Sequence, residues 1–269
     1  TQFNFEFIKL NKPNLLSVEY FPNFTAGLTF FVAVAATNLF HQGNWQRVYA
    51  AKNNQILFKS LIVAFIVIIP IVFFMGFCGL VAISVDPNVN PDLGYFSLLL
   101  KNQTKILSLV VIILGLSLTI STVDTLINAI SSLIVVDGKA TFNFKRKINY
   151  LKFSKYFILG ISVISFFIAS KGFSVLYLFL LADLFCCAFV LTVFYSFYDK
   201  ALGEKNAYLS IIFGLIAGFL LFPTPDFSKS LLVGIIFPLD FFPSFVPQSL
   251  LFLSFIAATF VPVIIWKLR

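Results

Sequence analysis

Long apolar runs alternate with short polar links along the whole chain. Most of these runs approach or exceed the ~20 residues that an α-helix needs to cross a bilayer. The runs cover residues 23–40, 58–84, 106–136, 156–170, 173–198, 207–222 and 249–265. The pattern therefore predicts an all-α, polytopic membrane protein with about seven transmembrane helices.

The composition supports this fold class and excludes a soluble domain. Hydrophobic residues make up 59% of the 269 residues, only 11% are charged, and the mean hydropathy is +0.98. Soluble chains are about a quarter charged, so the expected surroundings of this chain are a lipid bilayer. The net charge of +8 does not indicate a nucleic-acid partner, because the basic residues lie in the links between apolar runs.

Basic residues in the links predict how the chain is oriented in the membrane. The links at 44–59, 137–155 and 199–205 and the C-terminus together contain more than twice as many Lys and Arg residues as the links on the other side. Links rich in Lys and Arg stay in the cytoplasm. We therefore expect a multi-pass protein of the cell (plasma) membrane with a cytoplasmic C-terminus, in which the third run enters the cell.

The third run carries polar residues in its apolar surroundings. Ser117, Ser121, Asp124, Asn128 and Ser131 follow one another at steps of four, three, four and three residues, which places them on one face of a helix. A carboxylate in lipid is costly and needs a partner. A cation held by hydroxyl oxygens is one such partner. The alternative is a helix whose small polar residues pack closely against its neighbours.

Two stretches resemble the sodium:solute symporter family. Residues 43–52 (GNWQRVYAAK) are similar to a segment that follows a broken core helix in that family. Residues 121–125 and 131–137 (STVDT and SSLIVVD) are similar to its sodium-site helix, which has a hydroxyl pair and a later aspartate. In addition, residues 177–179 (YLF) and the run that they open are similar to the urea and polyamine branch of the family.

The resemblance implies a domain arrangement. Residues 23–198 would form the second inverted repeat, core helices six to ten of a five-plus-five fold. Residues 1–22 would be an extracytoplasmic loop. Residues 199–269 would form two accessory C-terminal helices, with an extracytoplasmic loop at 223–248. The first repeat, the N-terminal half of the core, is then expected outside this chain, which would be a C-terminal portion of a longer protein.

The resemblance also implies an ion site and an activity. The hydroxyls of Ser121 and Thr122 and the carbonyl of Leu118 would bind Na⁺, with the remaining ligands supplied by the first core helix. The implied function is sodium-coupled symport of a small polar organic solute, such as a proline-like amino acid or urea. Coupling to protons instead of Na⁺ is the alternative.

Further polar residues are candidates for the solute pathway or for coupling. They are Asp124, Thr125, Asn128, Asp183, His41 and Gln42. Some of these residues also have a structural interpretation. A histidine at the end of a span commonly makes an interfacial hydrogen bond. The polar side chains that follow it, Gln42, Asn44 and Gln46, either line a cytoplasmic exit or cap a helix. Many members of the family have an acidic residue where this chain has His41, so the resemblance does not carry over a substrate.

Two other functions are open. Some relatives of the family carry a symporter-like membrane domain as the sensor of a signalling protein, and this chain could be such a domain. A membrane enzyme would use Asp124 or Asp183 as an acid or base, but no nucleophile motif or metal-ligand constellation accompanies these residues in the sequence. Transport is therefore the favoured interpretation, and we do not expect an enzyme.

Overall fold

The computed structural model describes residues 5–90, 93–100, 103–141, 149–199 and 203–267, most of which are helical. Within these residues, seven helices are long and apolar enough to cross a membrane. The predicted all-α, polytopic membrane fold is confirmed. Part of the predicted basic link, Lys145, Arg146 and Lys147, lies outside the described residues.

The described helices are α1 (Phe5–Asn11), α2 (Phe21–Phe40), α3 (Gln42–Ala50), α4 (Asn54–Val85), α5 (Gly94–Leu100), α6 (Lys105–Ser132), α7 (Gly138–Thr141), α8 (Tyr150–Ala169), α9 (Val175–Ser196), α10 (Glu204–Leu221), α11 (Phe245–Gln248) and α12 (Leu250–Lys267). A π-helical turn, Leu133–Asp137, connects α6 to α7. The long helices are α2, α4, α6, α8, α9, α10 and α12, and each coincides with one of the predicted spans.

Capping residues explain why two helices, α4 and α8, begin before the apolar run that predicts them. The side chain of Asn53 accepts a hydrogen bond from the backbone N–H of Ile56 at 2.8 Å, so α4 begins at 54 and not at 58. At the start of α8, the side chain of Asn149 accepts a hydrogen bond from the backbone N–H of Lys152 at 3.1 Å. A capping side chain satisfies an N–H group that has no partner within the helix. Hydropathy alone does not locate the capping residue.

The link between α8 and α9 covers residues 170–174 and is longer than the predicted two-residue link, Lys171-Gly172. Gly172 has a φ of +70°, a left-handed conformation that glycine adopts without the clash of a Cβ atom. The turn lies between the end of α8 and Ser174, which precedes α9. A five-residue link that contains the predicted Lys171-Gly172 pair thus separates the two helices.

The helices group into two compact units. We call them the three-span unit (Thr1–Asn11 and His41–Gly172, with α4, α6 and α8) and the four-span unit (Lys12–Phe40 and Phe173–Arg269, with α2, α9, α10 and α12). This grouping follows contacts within the chain. The assignment of residues 23–198 to an inverted repeat stays a prediction.

The four-span unit contains a buried apolar core. Leu184, Cys187 and Ala258 are completely buried in it, and Phe255 nearly so. The helices α10 and α12 approach closely because α10 presents glycines at positions 214 and 218 (GLIAG). Small residues spaced by four let membrane helices pack backbone to backbone.

The long helices of the three-span unit are mostly exposed along their lengths. The helices α6 and α8 meet at Ser154, which is 1% exposed and donates a hydrogen bond to the hydroxyl of Ser131 at 3.0 Å. Ala129 of α6 is also buried. Exposed apolar side chains are compatible with a lipid surface, whereas the polar face of α6 is not.

Candidate ion-binding site

The three groups implied as sodium ligands lie within one turn near the middle of α6. The hydroxyl of Thr122 donates a hydrogen bond to the carbonyl oxygen of Leu118 at 3.0 Å. The carbonyl oxygen of Ser121 accepts a hydrogen bond from the hydroxyl of Thr125, also at 3.0 Å. The Thr122 hydroxyl therefore has its proton directed to the backbone and its lone pairs free to accept or to coordinate.

The same bonding continues along the helix toward its N-terminal half. Ser117 donates to the carbonyl of Ile113 at 2.8 Å, and Thr119 donates to the carbonyl of Gly115 at 2.9 Å. Hydroxyls of this kind satisfy their protons within their own helix. This explains how an apolar helix accommodates a row of hydroxyl groups.

Asp124 lies beside the hydroxyl pair and is bonded within α6. The side-chain amide of Asn128 donates to the Asp124 carboxylate at 3.4 Å, a long contact at the limit of a hydrogen bond. Ser121, Thr122 and Asp124 are all exposed. Lipid cannot solvate a carboxylate, so this face of α6 needs a polar or ionic partner in the membrane.

The short helix α3 contacts the C-terminal half of this face. The side-chain amide of Gln46 donates a hydrogen bond to the hydroxyl of Ser132 at 2.8 Å. Gly43 is buried, and a Cβ atom placed on it would lie 3.7 Å from the methyl group of Thr125. The sequence predicts Gln46 only as a helix cap or as a residue that lines a cytoplasmic exit, and Ser132 was not among the predicted site residues.

His41 and Gln42 lie where α3 begins. His41 is the N-cap residue, with extended backbone angles, and Gln42 is the first residue of the helix. The Nδ1 atom of His41 is buried and has no hydrogen-bond partner among the described residues. The structure places these two residues next to the segment that contacts α6, and their role in a solute pathway stays a prediction.

Asp183 belongs to the four-span unit and lies in its interior. The carboxylate is 7% exposed and accepts a hydrogen bond from the hydroxyl of Thr37 on α2. Apart from Asp183, the four long helices of this unit carry charged residues only near their ends, namely Glu204, Lys205 and Lys267. Within the described residues, the carboxylate therefore has a hydroxyl partner and no cationic one.

A cavity of about 240 Å³ lies at another place in the four-span unit. Thr25 and Thr29 of α2 line it from one side, and Ser249 with the start of α12 lines it from the other. Every lining residue is uncharged. The cavity is therefore not the site of the Asp183 carboxylate.

The seven apolar helices define a multi-pass membrane protein, and comparison with known proteins supports a transporter. Over 173 residues, 63% of its length, the chain is 31% identical to a spermidine transporter of Candida albicans. The match covers 32% of that transporter, so the chain spans about a third of the length of the curated relative it matches. No protein-family model matches the chain, and no solved structure is significantly similar to it. The protein is thus transporter-like, whereas its place among the sodium:solute symporters stays a prediction.

Proposed function

We propose that this chain forms part of a sodium-coupled symporter that moves a small polar organic solute across the plasma membrane. The observation that carries the proposal is the group of oxygens on α6, in which the hydroxyl of Thr122 and the carbonyl of Leu118 lie 3.0 Å apart beside Ser121. Hard cations such as Na⁺ prefer oxygen ligands of this kind. The similarity to a spermidine transporter supports transport as the general activity.

Sodium would act by stabilising one conformation of the protein. An ion shifts a conformational equilibrium only if it binds the two states with different affinity. The ligands on α6 would meet further ligands from a neighbouring helix in the state that binds solute. Separation of the two helices would then weaken the ion site and release ion and solute together.

A polyamine-like cation is a further candidate for the solute, in addition to a proline-like amino acid and urea. The relative is named as a spermidine transporter, and spermidine carries several positive charges at neutral pH. Asp183 is a buried carboxylate that has no cationic partner among the described residues. An ammonium group would compensate this charge in the membrane interior.

Uptake into proteoliposomes that contain the complete natural protein tests the coupling. An inward sodium gradient at fixed pH is expected to drive accumulation of solute, and a proton gradient without sodium is not. The double variant Ser121→Ala with Thr122→Val is expected to raise the sodium concentration for half-maximal uptake at least about tenfold, since it removes two coordinating hydroxyls. Uptake driven equally well by protons alone would replace sodium coupling with proton coupling.

The same assay separates the candidate solutes. If the solute is a polyamine, Asp183→Asn is expected to abolish uptake of spermidine, because the neutral amide cannot compensate an ammonium group. If the solute is proline-like or urea, spermidine is not taken up by the unmodified protein. The matched control is Asp240→Asn, at a carboxylate in the link between α10 and α12.

A further inference from the structure

The helix α3 lies on the same face of α6 as the candidate ion site. Ser121, Thr125, Asn128 and Ser132 are spaced by four, three and four residues, so they form one row along α6. The two contacts made by α3 fall on this row. Gly43 approaches Thr125, and Gln46 donates its hydrogen bond to Ser132.

These contacts lie at two points of the row, Thr125 and Ser132, between the ion site and the C-terminal end of α6. Thr125 is about one turn beyond Ser121, and Ser132 is about 10 Å beyond Thr125 along the helix axis. The basic links predict that this end faces the cytoplasm. An ion leaving Ser121 and Thr122 in that direction along the row would pass the two points at which α3 contacts it.

The ends of α3 have the geometry of a hinged element. The helix has nine residues, and extended residues flank it on both sides, His41 with ψ of 103° and Ala51 with ψ of 133°. Hinges in proteins are commonly a few residues at the ends of an element that absorb changes in φ and ψ. The absence of a side chain at Gly43 leaves room for the His41 ring at this end of α3, since a Cβ atom there would come within 2.9 Å of that ring.

We propose that α3 is the cytoplasmic gate of the ion route and that the hydrogen bond between Gln46 and Ser132 is its latch. This inference rests on the proposed function, because it assigns an exit to the ion site on α6. A single neutral hydrogen bond changes an equilibrium constant by about three- to tenfold. The latch is therefore strong enough to bias the gate toward the closed state and weak enough to open during transport.

The test measures access to the row from the cytoplasmic side, in the complete natural protein with its native cysteines replaced. Thr125→Cys provides a thiol beneath α3, and a membrane-impermeant maleimide added to the cytoplasmic face reports how often the gate is open. Ser132→Ala and Gln46→Leu, each removing one partner of the latch, are expected to raise the labelling rate by about three- to tenfold. The double variant is expected to label no faster than the single variants, because both remove the same bond.

Ser131→Ala is the matched control. Ser131 is adjacent in sequence, but its hydroxyl bonds to Ser154 on α8 and not to α3. The control is expected to label at the unmodified rate, and Ser132→Thr, which keeps a hydroxyl, is expected to do the same. The gate proposal would be overturned if all variants labelled at the same rate, or if Ser131→Ala raised the labelling rate as much as Ser132→Ala does.

Labelling is measured without solute and without a sodium gradient, so its outcome is independent of the transport assay. If the latch variants label faster but uptake does not depend on sodium, the gate is supported and sodium coupling is rejected. If uptake is driven by sodium but the latch variants label at the unmodified rate, sodium coupling is supported and the gate is rejected. If Ser132→Ala fails to reach the membrane, Gln46→Leu, at an exposed position, carries the test.

Discussion

The hydroxyl of Thr37 on α2 donates a hydrogen bond to the carboxylate of Asp183 on α9, 146 residues further along the chain. The bond joins two helices of the four-span unit and satisfies one oxygen of Asp183, the only charged residue that the described chain has in the middle of this unit's long helices. A carboxylate in the membrane interior is costly without such a partner. The pair therefore stabilises this unit in addition to any role in solute recognition.

Loss of the Thr37 hydroxyl is expected to destabilise the protein measurably. Thr37→Val leaves the buried carboxylate without its described hydrogen-bond donor, which costs about 1–3 kcal/mol. Thr29→Val is the control on the same helix, because Thr29 is fully buried, whereas Thr37 is half-buried, and it donates only to the carbonyl of Thr25 in its own helix, at 2.7 Å. Thermal unfolding in detergent compares the two variants. If the two variants lose the same amount of stability, the bond to Asp183 contributes no more than a hydroxyl bond within one helix.

A side chain at Gly214 is expected to force α10 and α12 apart. A Cβ atom there would lie 2.5 Å from Cγ and 2.9 Å from Cδ of Pro262. Overpacking of this kind costs about 1–3 kcal/mol, so Gly214→Ala should lower the unfolding temperature. Gly27→Ala is the control, since a Cβ atom there meets nothing within 4 Å. An unchanged unfolding temperature in Gly214→Ala would show that the two helices are not in close contact.

The turn around Asp226 is expected to persist to low pH. Hydrogen bonds from the hydroxyls of Ser228 and Thr224 lower the pKa of the Asp226 carboxyl from 3.8 to about 2. Because the pKa is depressed in the folded state, the stabilising effect is fully present above pH 3.8 and is lost as the pH falls through about 2. Titration of the carboxyl group by NMR measures the value directly. Ser228→Ala, which removes the leading cause of the shift, should return the pKa toward 3.8, and a titration unaffected by this change would contradict the assigned cause.

Hydropathy predicts the long helices well, because a helix that crosses lipid needs a long run of apolar residues. All seven predicted runs correspond to helices, and the predicted Lys171-Gly172 pair lies in the link between α8 and α9. The helix starts at Asn53 and Asn149 were missed, because a cap is a single polar residue outside the apolar run. The helix α3 was predicted only as a polar patch, since nine residues of mixed polarity give no span signal.

The side chains of the candidate site were predictable only where they are close in sequence. The row on α6 follows from helical spacing, and its internal hydrogen bonds, such as that between Thr122 and Leu118, link residues one turn apart. The bonds from Thr37 to Asp183 and from Gln46 to Ser132 join distant parts of the chain. No local pattern specifies such pairs, because they depend on how helices pack. The glycines at 214 and 218 did offer a local signal for the contact between α10 and α12, their spacing of four.

The binding of Na⁺ itself tests the central claim most directly. Equilibrium binding of radioactive ²²Na⁺ to the complete purified protein is compared between the unmodified protein and Thr122→Val, with Ser131→Ala as the control. We predict saturable binding that Thr122→Val weakens at least about tenfold and that Ser131→Ala leaves unchanged. Sodium binding of the same affinity in Thr122→Val, or no saturable binding in the unmodified protein, would contradict a sodium site on α6.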